Sequence, residues 1–186
     1  AGLDRLDAMG IQVWVPRLPV PHGPGDGAAD VIEVPAVGAP PCPAPGLYGD
    51  WETLEREASV CRRCALHETR TQVVFGVGHR AARWMFIGEA PGEQEDLQGE
   101  PFVGRAGQLL TEMIKAAGLS REEVYIANVL KCRPPRNRDP LPEEAAACES
   151  YLLSQVALVK PALIIAVGRI AAQAVERGDE IVDFVV

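Results

Sequence analysis

The 186-residue sequence has no hydrophobic run long and apolar enough to cross a lipid bilayer, which disfavours an integral membrane protein. A secretory signal is also lacking, because the first residues, AGLDRLDAMG, are mixed and acidic. The five cysteines are an odd number and include a CxxC motif, so a disulfide framework is disfavoured. The sequence therefore predicts a cytoplasmic protein, and its length fits one domain with an appendage.

The net charge of −8 would disfavour nucleic-acid binding if it were evenly spread along the chain. Residues 1–60 contain 3 basic and 9 acidic side chains, residues 61–138 contain 12 and 9, and residues 139–186 contain 3 and 8. Phosphate binding depends on the local potential rather than on the total charge. The basic middle segment therefore leaves a DNA-binding face open.

The N-terminal part differs in composition from the rest of the chain. Residues 11–16, IQVWVP, alternate like a short strand, and residues 16–49 hold nine of the sixteen prolines without any helical or strand period. This composition indicates a linker or an extended arm, and a loop packed on the main domain is the alternative. We expect an N-terminal extension at 1–50 and one domain at 51–186.

From residue 51 onward, apolar strands alternate with helices. The predicted strands are RWMFIG, EVYIANVLK and PALIIAVG, with IVDFVV as a candidate fourth; the predicted helices are WETLEREASVCRRCAL, AGQLLTEMIKAAGL, LPEEAAACESYLLSQVALV and RIAAQAVERG. This alternation predicts an α/β fold with a mostly parallel sheet of about four strands covered on both faces. Ligands of such sheets bind beyond the carboxyl ends of the strands, here in GEAPGEQED, KCRPPRN and GRIAA.

The cysteines are candidate metal ligands. Cys61 and Cys64 are spaced to hold one centre, and Cys132 and Cys148 can complete a four-cysteine site. An iron–sulfur cluster tolerates this irregular spacing, whereas structural zinc usually shows two compact knuckles. Burial of Cys132 and Cys148 as small hydrophobic residues is the plain alternative. Cys42 is assigned no role.

Two loops contain candidate ligand-binding residues. GEAPGEQED surrounds Pro91 with small residues that allow close backbone approach, and it carries four acidic residues, but it is not a Walker A loop because no GK[ST] follows. The four acids suit water positioning or cation stabilisation, and a solvated loop is the alternative. In PFVGRAG, Phe102 is either a core residue or a ring on which a flat base stacks.

Taken together, CRRC, GEAPGEQED, PFVGRAG, NVLKCRPPRN and the later Cys148 resemble the type-4 uracil-DNA glycosylases, which are iron–sulfur enzymes of bacteria and archaea. The resemblance covers roughly residues 51–175, with the motifs in family order and at family-like spacing. The residues before 50 resemble an extension of some bacterial members. The resemblance implies a uracil-DNA-glycosylase-like three-layer α/β/α fold.

The resemblance also implies a function and a cofactor. The enzyme would flip uracil out of DNA and hydrolyse its N-glycosidic bond, with a structural [4Fe-4S] cluster held by Cys61, Cys64, Cys132 and Cys148. Uracil would stack on Phe102, and the Asn128 amide would bind the pyrimidine edge. This amide would reject cytosine, whose donor and acceptor are exchanged.

The remaining implied site residues fall into three groups. Glu89 and Glu95 would help position sugar and water, with Asn137 as a supporting polar residue; Gly88, Ala90 and Gly92 would line the pocket; and Arg133, Arg136 and Arg138 would contact phosphates. The implied partner is uracil-containing DNA, single- or double-stranded, bound by a monomer at the nucleoid, and the N-terminal arm is a candidate site for a protein partner.

One family motif has no counterpart here. The family carries a His-Pro-Ser or similar segment after a fourth strand, whereas the histidines here are His22, His67 and His79. We therefore expect either a C-terminal part that is truncated or altered, or a non-enzymatic iron–sulfur module that binds nucleic acid or a replication or repair partner. A zinc-bound structural domain is the third hypothesis.

Overall fold

The computed structural model describes residues 47–176 and the short strand Phe184–Val185. The strand predicted at residues 11–16, the proline-rich segment up to residue 46, His22 and Cys42 lie outside the described residues. The division into an extension and a domain beginning at residue 51 therefore stays a prediction.

The described strands form one sheet. They are β1 (Val77–Gly78), β2 (Trp84–Gly88), β3 (Tyr125–Asn128), β4 (Leu163–Ala166) and β5 (Phe184–Val185), in the spatial order β1-β3-β2-β4-β5. β2 runs parallel to both β3 and β4, β4 runs parallel to β5, and β1 is antiparallel to β3. The predicted mostly parallel sheet is confirmed, and the unpredicted β1 adds a short antiparallel edge.

The described helices are α1 (Trp51–Ser59), α2 (Glu93–Gln98), α3 (Arg105–Ala116), α4 (Pro142–Val159) and α5 (Arg169–Glu176), with 3₁₀ turns at Ala65–Glu68 and Pro135–Asn137. The six-residue α2 lies where an open loop was expected. It was missed because so short a helix shows no apolar period, although its three first-turn acids favour a helix N-terminus. Within residues 47–176, no helix is long and apolar enough to span a membrane.

Helix α1 stops before the CxxC motif. It begins where the Asp50 side chain accepts a hydrogen bond of 2.8 Å from the Thr53 amide. It ends at Ser59, and the Cys61 amide closes a turn on the Ala58 carbonyl at 3.2 Å. Cys61 therefore lies after the helix, whereas the predicted helix WETLEREASVCRRCAL included it.

The core consists of two layers, one on each face of the sheet. Phe86 and Ile126 pack with α3 on one face; Met85, Ile87 and Ala127 pack with α4 and α5 on the other. This alternation follows from the two-residue repeat of a strand. The three-layer α/β/α arrangement predicted by the resemblance is confirmed.

Candidate active site and cysteine centre

The four predicted cysteines line one small cavity. Cys61 and Cys64 flank the turn after α1, Cys132 follows β3, and Cys148 lies on α4. All four are free thiols, and α1 packs against Cys132 and Cys148 in one apolar cluster. The fold thus brings together residues that are up to 87 positions apart in the sequence.

The four cysteines supply the donor type that an iron–sulfur cluster takes. Among the described residues, no group of three or more His, Cys, Asp or Glu side chains is arranged to hold one metal ion. The four thiols line the same cavity, and an iron–sulfur core is held by four Cys thiolates. The donor set therefore fits such a cluster.

Two arginines give the cavity a positive environment. Arg70 Nη1 donates to Cys132 Sγ at 3.2 Å, and the Arg63 guanidinium lies 3.9 Å from the centre of the Tyr151 ring. Burial raises the pKa of the Cys148 thiol to about 12. Burial also acts to raise the pKa of Cys61, but hydrogen bonds to Tyr151 and Arg63 lower that pKa overall. Cationic donors beside the cavity favour thiolate ligands.

The second site lies at the carboxyl ends of β2 and β3. Gly88 and Asn128 are direct partners in the parallel register, and Asn128 is buried. A Cβ on Gly88 would overlap the Asn128 amide oxygen and lie 2.5 Å from Cζ of the half-buried Phe102. The Phe102 ring and the Asn128 amide, which are predicted to bind the base, therefore both lie next to Gly88, which has no side chain.

Phe102 is held in an unusual backbone conformation. Its φ is +56°, which is uncommon for a residue with a side chain. Glu95 Oε1 accepts hydrogen bonds from the amides of Val103 at 3.0 Å and Gly104 at 2.8 Å. Arg121 donates to the carbonyls of Phe102 at 3.2 Å and Pro101 at 2.9 Å. Such strain persists only where the surroundings fix it, and here they fix the ring.

Glu89 lies directly after Gly88 at the same edge. Glu89 is half-buried. The Leu130 amide donates a hydrogen bond to the Glu89 carbonyl at 3.0 Å, so the main chain at Glu89 stays paired with the segment after β3. Partial burial raises the pKa of its carboxyl group, Asp139 raises it further, and Arg169 opposes both. Ala90 packs against the cysteine cluster, and Gly92 is the N-cap of α2. The loop thus connects the two sites.

The arginine turn after Cys132 is partly tied down. Arg133 Nε donates to Asn137 Oδ1 at 2.7 Å, and Arg136 is exposed. Arg138 forms a two-point ion pair with the buried Glu144, at 2.6 and 2.8 Å. Two of the predicted phosphate ligands thus have partners within the chain, and their phosphate role stays a prediction.

Neither described histidine lies at the Gly88 edge. His67 lines the cysteine cavity, with Nδ1 2.7 Å from the Cys64 carbonyl oxygen, and the exposed His79 lies near Trp84 at the opposite end of β2. Arg121 and Lys131, which contact the Phe102 loop and Asn128, were not predicted as site residues. Lys131 lies within the motif NVLKCRPPRN, but its hydrogen-bond partners, like those of Arg121, are set by tertiary packing and do not follow from the motif.

Comparison with known proteins agrees with this arrangement. A sequence profile for the Uracil DNA glycosylase superfamily matches residues 75–184. A type-4 uracil-DNA glycosylase of Archaeoglobus fulgidus is 57% identical over 122 residues, which are 66% of this chain and 61% of the relative. A type-4 uracil-DNA glycosylase of Thermotoga maritima is 52% identical over 120 residues, which are 64% of this chain and 62% of the relative.

A third such enzyme, of Pyrobaculum aerophilum, is 48% identical over 125 residues, covering 67% of this chain and 64% of the relative. The chain thus spans somewhat under two thirds of the length of the curated relatives that it matches. The profile match extends over more than half of the chain, from just before β1 to β5. The chain belongs to the uracil DNA glycosylase superfamily.

Proposed function

We propose that this protein is a uracil-DNA glycosylase of type 4, which removes uracil from DNA and leaves an abasic site. The observation that carries the proposal is the convergence of the Phe102 ring and the Asn128 amide on Gly88. A flat ring and a fixed amide beside an open backbone suit a flipped pyrimidine, which needs a stacking surface and a polar edge contact. The names of the relatives point to the same substrate.

Asn128 is the specificity residue of this proposal. Uracil presents an acceptor at position 4 and a donor at position 3, and a side-chain amide offers the complementary pair. Cytosine reverses both groups, so its binding would leave buried polar groups unpaired. Burial of Asn128 at the end of β3 fixes the amide, which makes this discrimination effective.

The reaction breaks the bond between C1′ of the sugar and N1 of uracil, and its electron pair leaves with the base as a uracil anion. Water adds to C1′ of the oxocarbenium-like sugar, and its proton returns to the base. Glu89, which directly follows the carboxyl end of β2, would orient that water. Glu95 supports the site by holding the Phe102 loop through two amides. Both act by preorganised electrostatics.

The four cysteines, Cys61, Cys64, Cys132 and Cys148, would hold a [4Fe-4S] cluster as a structural cofactor. The cluster would covalently cross-link the turn after α1, the turn after β3, and α4. Arg63 and Arg70 would balance the negative charge of the thiolates. Because Ala90 packs against the apolar cluster that contains Leu130 and Cys132, fixing this turn would also fix the loop that carries Glu89.

The exposed turn at residues 133–138 would contact DNA. Arg133, Arg136 and Arg138 lie on one 3₁₀ turn and its flanks, next to the end of the strand that carries Asn128. Lys and Arg contacts to phosphates position a protein on DNA without reading its sequence. The acidic segments on either side of the basic middle segment would repel DNA and confine binding to this face.

The test is incubation of the iron-loaded protein with a labelled oligonucleotide that contains a single uracil, followed by alkali. Strand cleavage at the uracil position, absent from a matched thymine oligonucleotide, is the expected result. Binding of DNA without any alkali-labile product would instead support the non-enzymatic iron–sulfur module.

A further inference from the structure

Lys131 is a fully buried lysine at the centre of the molecule. Its side chain is 1% exposed, although lysine is almost never buried without a specific partner. Its Nζ donates to the main-chain carbonyl of Asn128 at 2.7 Å and to Gln155 Oε1 at 2.6 Å. The side chain therefore reaches back to the residue three positions earlier and across to α4.

Gln155 fixes the far end of this contact. Its Nε2 donates to the Phe75 carbonyl at 2.8 Å and to the Tyr125 hydroxyl at 3.2 Å, so its Oε1 is left to accept from Lys131. Gln155 is itself fully buried. A buried network with every member paired is rigid, and losing one donor leaves its acceptors unsatisfied.

The same lysine is a neighbour of the cysteine centre. Lys131 precedes Cys132 in the sequence, and its contact Gln155 lies seven residues after Cys148, on the same helix. Lys131 also lines the cysteine cavity. The segment 128–132 therefore has three fixed points, which are Asn128 in the sheet, the Lys131 Nζ on Gln155, and Cys132 at the cavity.

We infer that Lys131 is a positioning residue for base recognition. It holds Asn128 beside Gly88, in the position where the Asn128 side-chain amide would bind the edge of uracil. This inference rests on the proposed glycosylase function. The reason is geometric. The Asn128 side-chain amide lies over Gly88 because the two residues are paired in the register of β2 and β3. Lys131 donates to the main-chain carbonyl of Asn128 and so holds the residue that carries this amide. Methionine could fill the same volume but could not donate.

The experiment compares the iron-loaded wild type with Lys131→Met, Asn128→Ala, the double variant, and Gln155→Met. Each is tested for binding to an oligonucleotide with one uracil and to its thymine counterpart, by fluorescence anisotropy, with iron content and thermal melting measured alongside. Ser154→Ala is the matched control, since it deletes two hydrogen bonds of a buried α4 side chain that do not involve Asn128: one donated to the Ser150 carbonyl at 2.6 Å and one accepted from the Tyr48 amide at 2.9 Å.

Lys131→Met is expected to lower the preference for uracil about tenfold, which corresponds to the loss of one hydrogen bond. It should keep its iron and its affinity for thymine DNA, and Ser154→Ala should keep the preference. In the Asn128→Ala background, Lys131→Met should have no further effect, because both act through one amide. Gln155→Met should also lower the preference for uracil. If Lys131→Met fails to load iron, the inference is tested with Gln155→Met.

The inference would be overturned if the iron-loaded Lys131→Met and Gln155→Met variants kept the wild-type preference for uracil. It would also be overturned if the effects of Lys131→Met and Asn128→Ala on this preference multiplied in the double variant. Loss of iron and of cooperative melting in both Lys131→Met and Gln155→Met would assign the lysine to stability alone and overturn it as well. A wild type without any preference for uracil is a different result, since it contradicts the proposed function before any variant is compared.

Discussion

Gly88 and Asn128 are paired residues of two parallel strands, and the amide oxygen of Asn128 occupies the space where a side chain on Gly88 would begin. Asn128 ends β3 and Gly88 ends β2, so both lie at the edge of the sheet where ligands of α/β folds bind. The absence of a Cβ at Gly88 is therefore a requirement of the site and not only of the turn that follows it.

Gly88→Ala is expected to abolish uracil binding while the fold is retained. The added Cβ would displace both the Asn128 amide and the Phe102 ring, and overpacking of this kind costs about 1–3 kcal/mol. Single-turnover excision and thermal melting would be measured together. Gly49→Ala is the control, because a Cβ there has nothing within 4 Å. Normal excision by Gly88→Ala would contradict the placement of the base over Gly88.

Asn128→Ala should weaken binding to uracil-containing DNA much more than binding to undamaged DNA. The amide contacts a base edge and no phosphate, and one good base-edge contact discriminates by about 1–3 kcal/mol. Titration of labelled oligonucleotides with and without uracil measures both affinities. Equal losses of affinity for the two oligonucleotides would show that Asn128 does not recognise the base.

Arg136→Ala should have the opposite pattern. Arg136 is exposed on the turn beside the site, so its loss should weaken binding to both oligonucleotides equally and lower the slope of log K against log salt by about 1. Lys115→Ala is the control, because it removes an exposed positive charge that is paired with Glu112 on α3. A salt slope identical to that of the wild type would exclude Arg136 from phosphate contact.

The purified protein should contain about four iron atoms per chain and show broad visible absorption that bleaches on reduction. Cys148→Ser should lose most of this iron and melt at a lower temperature, because α4 would no longer be cross-linked to the turn after β3. Cys42→Ser, a cysteine outside the four-residue set, should keep both properties. Stoichiometric zinc without iron after anaerobic preparation would contradict the cluster.

Glu144→Gln should destabilise the protein near neutral pH and much less in acid. The hydrogen bond from Arg138 is the main cause that lowers the pKa of Glu144 below its ordinary value of 4.5. A depressed carboxyl pKa contributes stability above the unfolded-state pKa, and this contribution disappears as the pH falls through the folded-state pKa. Losing this charge-assisted pair should lower the melting temperature at neutral pH, and solvent screening of the partly exposed Arg138 limits the size of the effect.

The measurement is the melting temperature of wild type and variant between neutral pH and about pH 3, the range in which carboxyl groups titrate. The gap between the two curves should narrow as the pH falls. Glu143→Gln, on the neighbouring exposed residue, should show little difference from the wild type at any pH. A gap that is constant with pH would mean that the ion pair does not account for the lowered pKa.

Much of the fold could be predicted from local patterns. The apolar stretches that became β2, β3 and β4 are recognisable because parallel strands are buried on both faces, and α3, α4 and α5 follow from apolar spacing. The short β1 and α2 could not be predicted in this way. Two and six residues carry too few positions to define a period, and both elements form on neighbours that are distant in sequence.

The sequence by itself determined which chemical groups are present, since the four cysteines, Phe102 and Asn128 could be named from their motifs. Only the tertiary structure decided which groups meet. The parallel register brings Asn128 to Gly88, Arg138 turns toward Glu144, and Arg121 and Lys131 hold the Phe102 loop and Asn128. Such contacts depend on how strands align and helices pack, because a hydrogen bond is set by distance and direction in space and not by spacing along the chain.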